Sequence, residues 1–262
     1  MHPDLVLAHE LADLADAISM SRFRAPDLAV QSKPDSTFVT EADRAIEEAL
    51  RDRLARDRPG DAVIGEEFGS TESDGAGSSR RWILDPIDAT NNYLRGIPIF
   101  GTLIAVEEEG EVVAGLASAP AMNRRWWAAR GEGAFADGRP IRVSNVTRIE
   151  DAQLSFDSVV GFEQRGLAEP FLALARRCWR TRAFGDFWQH MLVAEGSVDV
   201  VVEPWVALWD LAASKVIVEE AGGRFTDLQG RPTPDGGNAV STNGLLHQEV
   251  LASLHGRTGP PA

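Results

Sequence analysis

Apolar side chains recur at helical spacing over residues 4 to about 20 and again over residues 40 to 56, where Pro59 and Gly60 close the second run. Two N-terminal helices are predicted. The segment AVIGEEFG then reads as a short strand ending at Glu66 and Glu67, GSTESDGAGSSR as a Gly/Ser-rich surface loop, and RWILD as a further strand. TLIAVEEEGEVVAGLASAP predicts a hairpin turning at Glu109 and Gly110, and RRWWAARGEGAFADGRPIRV more short strands joined by Gly-rich turns. From Asp151 onward strands and helices alternate: AQLSF, a helix across LAEPFLALARRC, RTRAFG, a helix across FWQHMLVAEG, VDVVVEP, and a helix over residues 209 to 221. The tail HGRTGPPA has no apolar face and is expected to fray. The pattern divides one unit, residues 1–262, into an α+β half over 1–146 and an α/β half over 147–262.

Composition narrows the class. A 44% hydrophobic content suffices for a sizeable core. No run of eighteen apolar residues occurs, and Asp and Glu interrupt the first helix, so a soluble protein with no membrane partner is expected, and a single cysteine, unable to form an internal disulfide, makes the cytoplasm the expected location. Cys178 stands alone and reads as core filler. With 26 basic and 40 acidic residues the formal charge is −14, which repels nucleic acid and anionic membranes. A small phosphate ester stays compatible if its site concentrates positive charge, and a metal ion is the most compact source.

Four acidic elements carry candidate chemistry: TEAD with Asp43, GEE with Glu66, DPID with Asp85 and Asp88, and LWDLAA with Asp210. Each also has a structural reading. Thr40 and Asp43 match a helix capping box, Glu66 and Glu67 an exposed strand end, and Asp210 the acidic opening of a helix. DPID is the most pointed, because Pro86 fixes the backbone between two carboxylates and a helix beginning at about Asp88 would aim the amides of Ala89 and Thr90 outward. Carboxylate oxygens suit Mg²⁺, which completes its octahedron with water and substrate phosphate.

The order GEE, WILDPIDATNNY, LWDLAA and EEAGGRFTDLQG resembles the inositol-monophosphatase family of magnesium-dependent phosphomonoesterases, over nearly the whole chain. Within it, RPGDAVIGEEFG, APAMNRRWWAARGEGAF, RAFGDFWQHMLVAEGSVDVVVEP and STNGLLH are most similar to bacterial histidinol-phosphate phosphatases of this type. The resemblance implies a layered α/β/α/β/α sandwich, a homodimer, and two to three Mg²⁺ ions per site. It makes Glu66, Asp85 and the Ile87 carbonyl ligands of one ion, and Asp85, Asp88 and Asp210 ligands of a second, with a weaker third ion at Glu66. It has Thr90, hydrogen-bonded to Asp43, and Glu66 orient the attacking water, Ala89 and Thr90 bind phosphate, and Lys33 stand near the ions. Two positions depart from the family: Ala89 replaces a usual Gly and Asn91 a usual Lys or Thr. Ala89 is expected at an ordinary φ, where it costs nothing and keeps its N–H.

Asp186 and Glu203 match family positions that line the substrate pocket, and carboxylates there suit the ammonium and imidazole of histidinol phosphate. Asp186 also reads as the N-cap of a helix starting near Phe187. Arg182 is a further candidate for assisting phosphate or a neighbouring subunit, whereas Trp126 and Trp127 read as strand packing. The expected activity is hydrolysis of histidinol phosphate in histidine biosynthesis, the alternatives being a broad inositol-phosphate phosphatase or a non-catalytic binder of the same fold.

Overall fold

The computed structural model describes residues 2–33, 38–71 and 79–256. Most of the predicted Gly/Ser loop and the end of the tail lie outside the described residues. The elements run α1 (Pro3–Arg22), β1 (Val30–Ser32), β2 (Phe38–Thr40), α2 (Glu41–Asp57), β3 (Ala62–Gly65), β4 (Gly69–Thr71), β5 (Arg80–Asp88), α3 (Thr90–Leu94), β6 (Gly101–Glu108), β7 (Glu111–Ala119), β8 (Arg124–Ala129), β9 (Gly133–Ala136) and β10 (Arg139–Pro140). There follow β11 (Gln153–Phe156), α4 (Val159–Gln164), α5 (Ala168–Arg177), β12 (Arg180–Arg182), α6 (Asp186–Ala194), β13 (Val200–Glu203), α7 (Leu208–Glu220), β14 (Arg224–Thr226), β15 (Ala239–Thr242) and α8 (His247–Leu254).

An eight-stranded sheet has the order β10-β9-β8-β7-β6-β5-β3-β4, antiparallel except where β3 runs parallel to β5. A five-stranded sheet has the order β12-β11-β13-β15-β14, with β11 parallel to both neighbours. Period-two alternation sorts each strand's side chains between layers. Trp82, Leu84, Ile104 and Val106 meet Leu11, Ile46 and Leu50 of α1 and α2, while Ile83, Leu103 and Ala105 face Met191 of α6 and Ala213 and Val216 of α7. On the second sheet Val201 faces that same central helix layer, and Leu154, Val200 and Val202 pack on Phe171 and Leu251 of α5 and α8. The result is the α/β/α/β/α sandwich. Strands covered on both faces read as continuous apolar runs, as ILD and DVVVE do.

The central helix α7 is apolar nearly all round because sheets cover it on two sides. It comes so near β7 that a Cβ on Gly115 would sit 2.6 Å from Val216 Cγ1 and 2.9 Å from Ala213 Cα. Only glycine permits this approach, and it fixes where Asp210, on the first turn of α7, points.

Candidate active site

Strand β5 carries the DPID segment into the site. Its pairing with β6 shifts between Asp85, opposite Leu103, and Asp88, opposite Gly101, and the Pro86 carbonyl inside this bulge accepts from Thr102 Oγ1 at 2.8 Å. A bulge re-aims side chains that regular pleating would send apart. Asp85, Asp88 and, from α7, Asp210 each bring one carboxylate oxygen within 4.8 Å of the others. Asp88 Oδ2 accepts from the Phe187 amide at 2.8 Å, and Asp210 Oδ2 from the Ala207 amide at 2.9 Å. Asp210 therefore both caps its helix and faces its fellow acids.

Burial, reinforced by neighbouring carboxylates, pushes Asp85 and Asp88 far above the usual carboxylate range and Asp210 up to about 7. Among the described residues no arginine or lysine pairs with any of the three, and Asp85 Oδ1 is buried with no hydrogen-bond partner. An orphaned carboxylate oxygen in an all-oxygen cluster that lines a recess is the environment a hard divalent cation satisfies, so these residues fit Mg²⁺.

Glu66 lies on the rim with Ile87, Ala89, Thr90 and Asn91. Lys33 Nζ bonds Glu66 Oε1 and Glu67 Oε1, each at 2.7 Å. Burial works against the Lys33 charge, but the two carboxylates prevail and raise its pKa above the ordinary lysine range. The turn after β3 is held by Glu47, a buried acid of α2 that accepts from the Glu67 and Phe68 amides at 2.7 and 3.2 Å. Glu47 had no signal of its own in the sequence.

Thr40 and Asp43 do form the capping box of α2. Asp43 Oδ1 is also 3.3 Å from Thr90 Oγ1, which lies 3.0 Å from the Ile87 carbonyl. Burial raises Asp43 to about 6 against the lowering effect of its Thr40 bonds. Two expectations about this loop fail. β5 continues to Asp88 and α3 spans only Thr90–Leu94, so the DPID loop has no long helix dipole of its own. Ala89 sits at φ 66°, ψ 45°, in the left-handed region and not at an ordinary φ, because the chain must reverse between the bulge and α3. The amides of Ala89 and Thr90 precede the first intrahelical donor of α3 and lack intrahelical partners.

A second recess adjoins the first, sharing Asp88, Asp186 and Asp210 and adding Asp157, His190, Glu203, Trp205 and Val206. Asp186 is the first residue of α6 and makes no capping bond; it accepts from Asn92 Nδ2 at 3.2 Å, and burial with nearby acids raises it to about 7. Glu203 is buried at the end of β13. Arg182 is not brought here: it lies exposed on edge strand β12, bonded to the Thr181 carbonyl. Trp126 is buried against Glu195, and Trp127 stacks on Phe135, as strand packing predicts.

Residues 1–258 match the sequence profile of the inositol monophosphatase family. The chain belongs to that family. The histidinol-phosphatase of Mycobacterium tuberculosis is 54% identical over 97% of this chain and 98% of its own length. That of Streptomyces coelicolor is 52% identical over 97% of each. Among solved structures, the Thermotoga maritima IMPase superposes with a TM-score of 0.85, at 32% identity over 98% of both chains. This member of the inositol monophosphatase family is therefore a phosphoric monoester hydrolase. Of the site residues that the motifs did not reveal, Asp157 and Trp205 lie in turns after short strands that left no spacing to read, and His190 is a lone histidine on the buried face of α6.

Proposed function

We propose that this family member hydrolyses L-histidinol phosphate to L-histidinol and phosphate with Mg²⁺, serving histidine biosynthesis. The observation that supports this most is the pair of adjoining recesses, one holding the orphaned Asp85 cluster and the other lined by five acids beside His190. One end suits cations that meet phosphate, and the other suits the organic cation of the same molecule. Asp85, Asp88 and Asp210, with Glu66 and the Ile87 carbonyl, would hold the metal; bound there, it neutralises phosphate charge and acidifies water. The number of ions, two or three, belongs to this proposal, as does a homodimer.

The chain's own groups do the rest. The Thr90 hydroxyl can accept from the attacking water while donating to Asp43, whose raised pKa makes it a competent proton store near neutral pH. The amides of Ala89 and Thr90, on residues that line the recess and without intrahelical partners, would meet phosphoryl oxygens as these gain charge. Lys33 holds Glu66 and Glu67 in place. Asp186 offers a carboxylate between the two recesses, where an ammonium two carbons from the ester oxygen would lie.

Phosphate release with Mg²⁺ from histidinol phosphate, inositol 1-phosphate, fructose 1,6-bisphosphate and an adenosine bisphosphate tests the reading. Histidinol phosphate should be the best substrate. Inositol 1-phosphate in first place would favour a broad inositol-phosphate phosphatase, and metal binding without any turnover a non-catalytic binder.

A further inference from the structure

The far end of the second recess is built from residues that the proposed chemistry leaves unused. Parallel strands β11 and β13 run side by side, with Phe156 opposite Val202, so Asp157 and Glu203 emerge together at their carboxyl ends. Sites in open sheets collect at such ends. The two acids are not equivalent. Both oxygens of Glu203 are taken: Gln189 Nε2 donates to Oε1 at 2.6 Å, and His190 Nε2 lies 2.7 Å from Oε2. Gln189 and His190 are themselves anchored, through Ser155 and Ser241, at 2.8 Å each. Asp157 has no hydrogen bond or ion pair among the described residues, although it lines the recess. A carboxylate left unpaired beside a fixed, already satisfied one is available to a ligand.

Trp205 supplies the wall. It is 56% exposed and lines the same recess. It is nonetheless held firmly. The Arg165 guanidinium stacks 3.7 Å from its ring centroid and bonds the Gly237 carbonyl at 2.9 Å. On α4, a Cβ at Gly161 would come within 2.7 Å of Pro204 Cγ and 3.5 Å of Trp205 Cδ1, so glycine lets the Pro204-Trp205 turn dock. Arg165 covers one indole face, and the ring, more than half exposed and lining the recess, is placed to meet a flat ligand. Asp186 borders both recesses, whereas Asp157 and Trp205 border only the second, which Asp85, Glu66 and Thr90 do not line.

Resting on the proposed histidinol phosphate activity, we infer that Trp205 and Asp157 are its specificity-determining residues, Trp205 stacking on the substrate's imidazole ring and Asp157 accepting a ring N–H. The ammonium, nearer the ester, falls to Asp186. The remote ring contacts hold substrate and transition state alike, so they act on KM more than on kcat.

O-phosphoethanolamine keeps the phosphate and the neighbouring ammonium but has no ring, and it separates this role from a general one. With Mg²⁺, Trp205→Ala and Asp157→Asn should each lower kcat/KM for histidinol phosphate about tenfold or more, mainly through KM, and leave O-phosphoethanolamine within about twofold. Trp205→Phe should recover most of the loss. Equal losses on both substrates would mark the residues as merely structural and overturn the inference, and so would no loss on either. If the wild type prefers histidinol phosphate and both variants keep that preference, this inference alone falls. If the wild type shows no such preference, the activity it rests on falls with it.

Discussion

Ala89 is the residue at which local geometry and sequence disagree most. Its left-handed backbone places a Cβ close to the following carbonyl, a strain on the order of 1 kcal/mol that glycine avoids. Ala89→Gly should therefore raise the free energy of unfolding by up to about 0.5 kcal/mol, the rest of the relief being offset by the greater freedom of glycine when unfolded. Urea denaturation measures this, and a loss of stability would contradict the strain. The backbone amide survives the change, so turnover should persist. Nothing in ATNN announces a positive φ, since the residue type that signals one is missing. The carboxylates, by contrast, were legible: DPID and LWDLAA name chemistry by residue type and order, and the structure brings Asp85, Asp88 and Asp210 together. Asp157 and Trp205 were not, because a lone acid after a strand and a lone indole after a proline fit any surface turn.

At the scale of elements, the long strands and amphipathic helices were readable from period alone, including the β6–β7 hairpin turning at Glu109 and Gly110 and the α7 helix over Leu208–Glu220. The short, polar ones were not. Val30–Ser32 and Gly69–Thr71 are exposed edge pieces without alternation, and α4 has a glycine in its middle and no side-chain cap. The fit of α7 against β7 has a functional consequence. Gly115→Ala should force α7 away from the sheet, at a cost of about 1 to 3 kcal/mol by overpacking. Because Asp210 rides on that helix, kcat should fall as well. Thermal unfolding and steady-state kinetics on the same variant check both, and wild-type values in each would show that the contact tolerates a methyl group.

Over the whole molecule, most of the raised carboxyl groups gather at one place, and the fold bears their repulsion. Asp210 and Asp186 have folded pKa values of about 7 against ordinary values of 3.8. The folded metal-free protein thus binds more protons than the unfolded chain between about pH 4 and 7, and these groups lose stability as pH rises through that window. Buried His247, lowered to about 4 chiefly by desolvation, works in the opposite sense but is outnumbered. Mg²⁺ competes with those protons. Saturating Mg²⁺ should raise Tm markedly at pH 8 and little at pH 5, by about 2.7 kcal/mol of stability at a hundredfold excess over Kd. An equal rise at both pH values would mean that the ions bind elsewhere. No helix among the described residues is long and apolar enough to cross a membrane, in keeping with the acidic, interrupted helices of the sequence.

The account turns on Asp210 being a charge the reaction needs and the bare fold tolerates. Asp210→Asn keeps the shape and can still accept from the Ala207 amide, yet it removes one negative charge from the buried group. The decisive measurement is phosphate release from histidinol phosphate with Mg²⁺ by this variant, read beside its metal-free Tm. Turnover should fall about a thousandfold or more while the metal-free Tm holds or rises. Turnover within a few-fold of wild type would contradict the shared-carboxylate site.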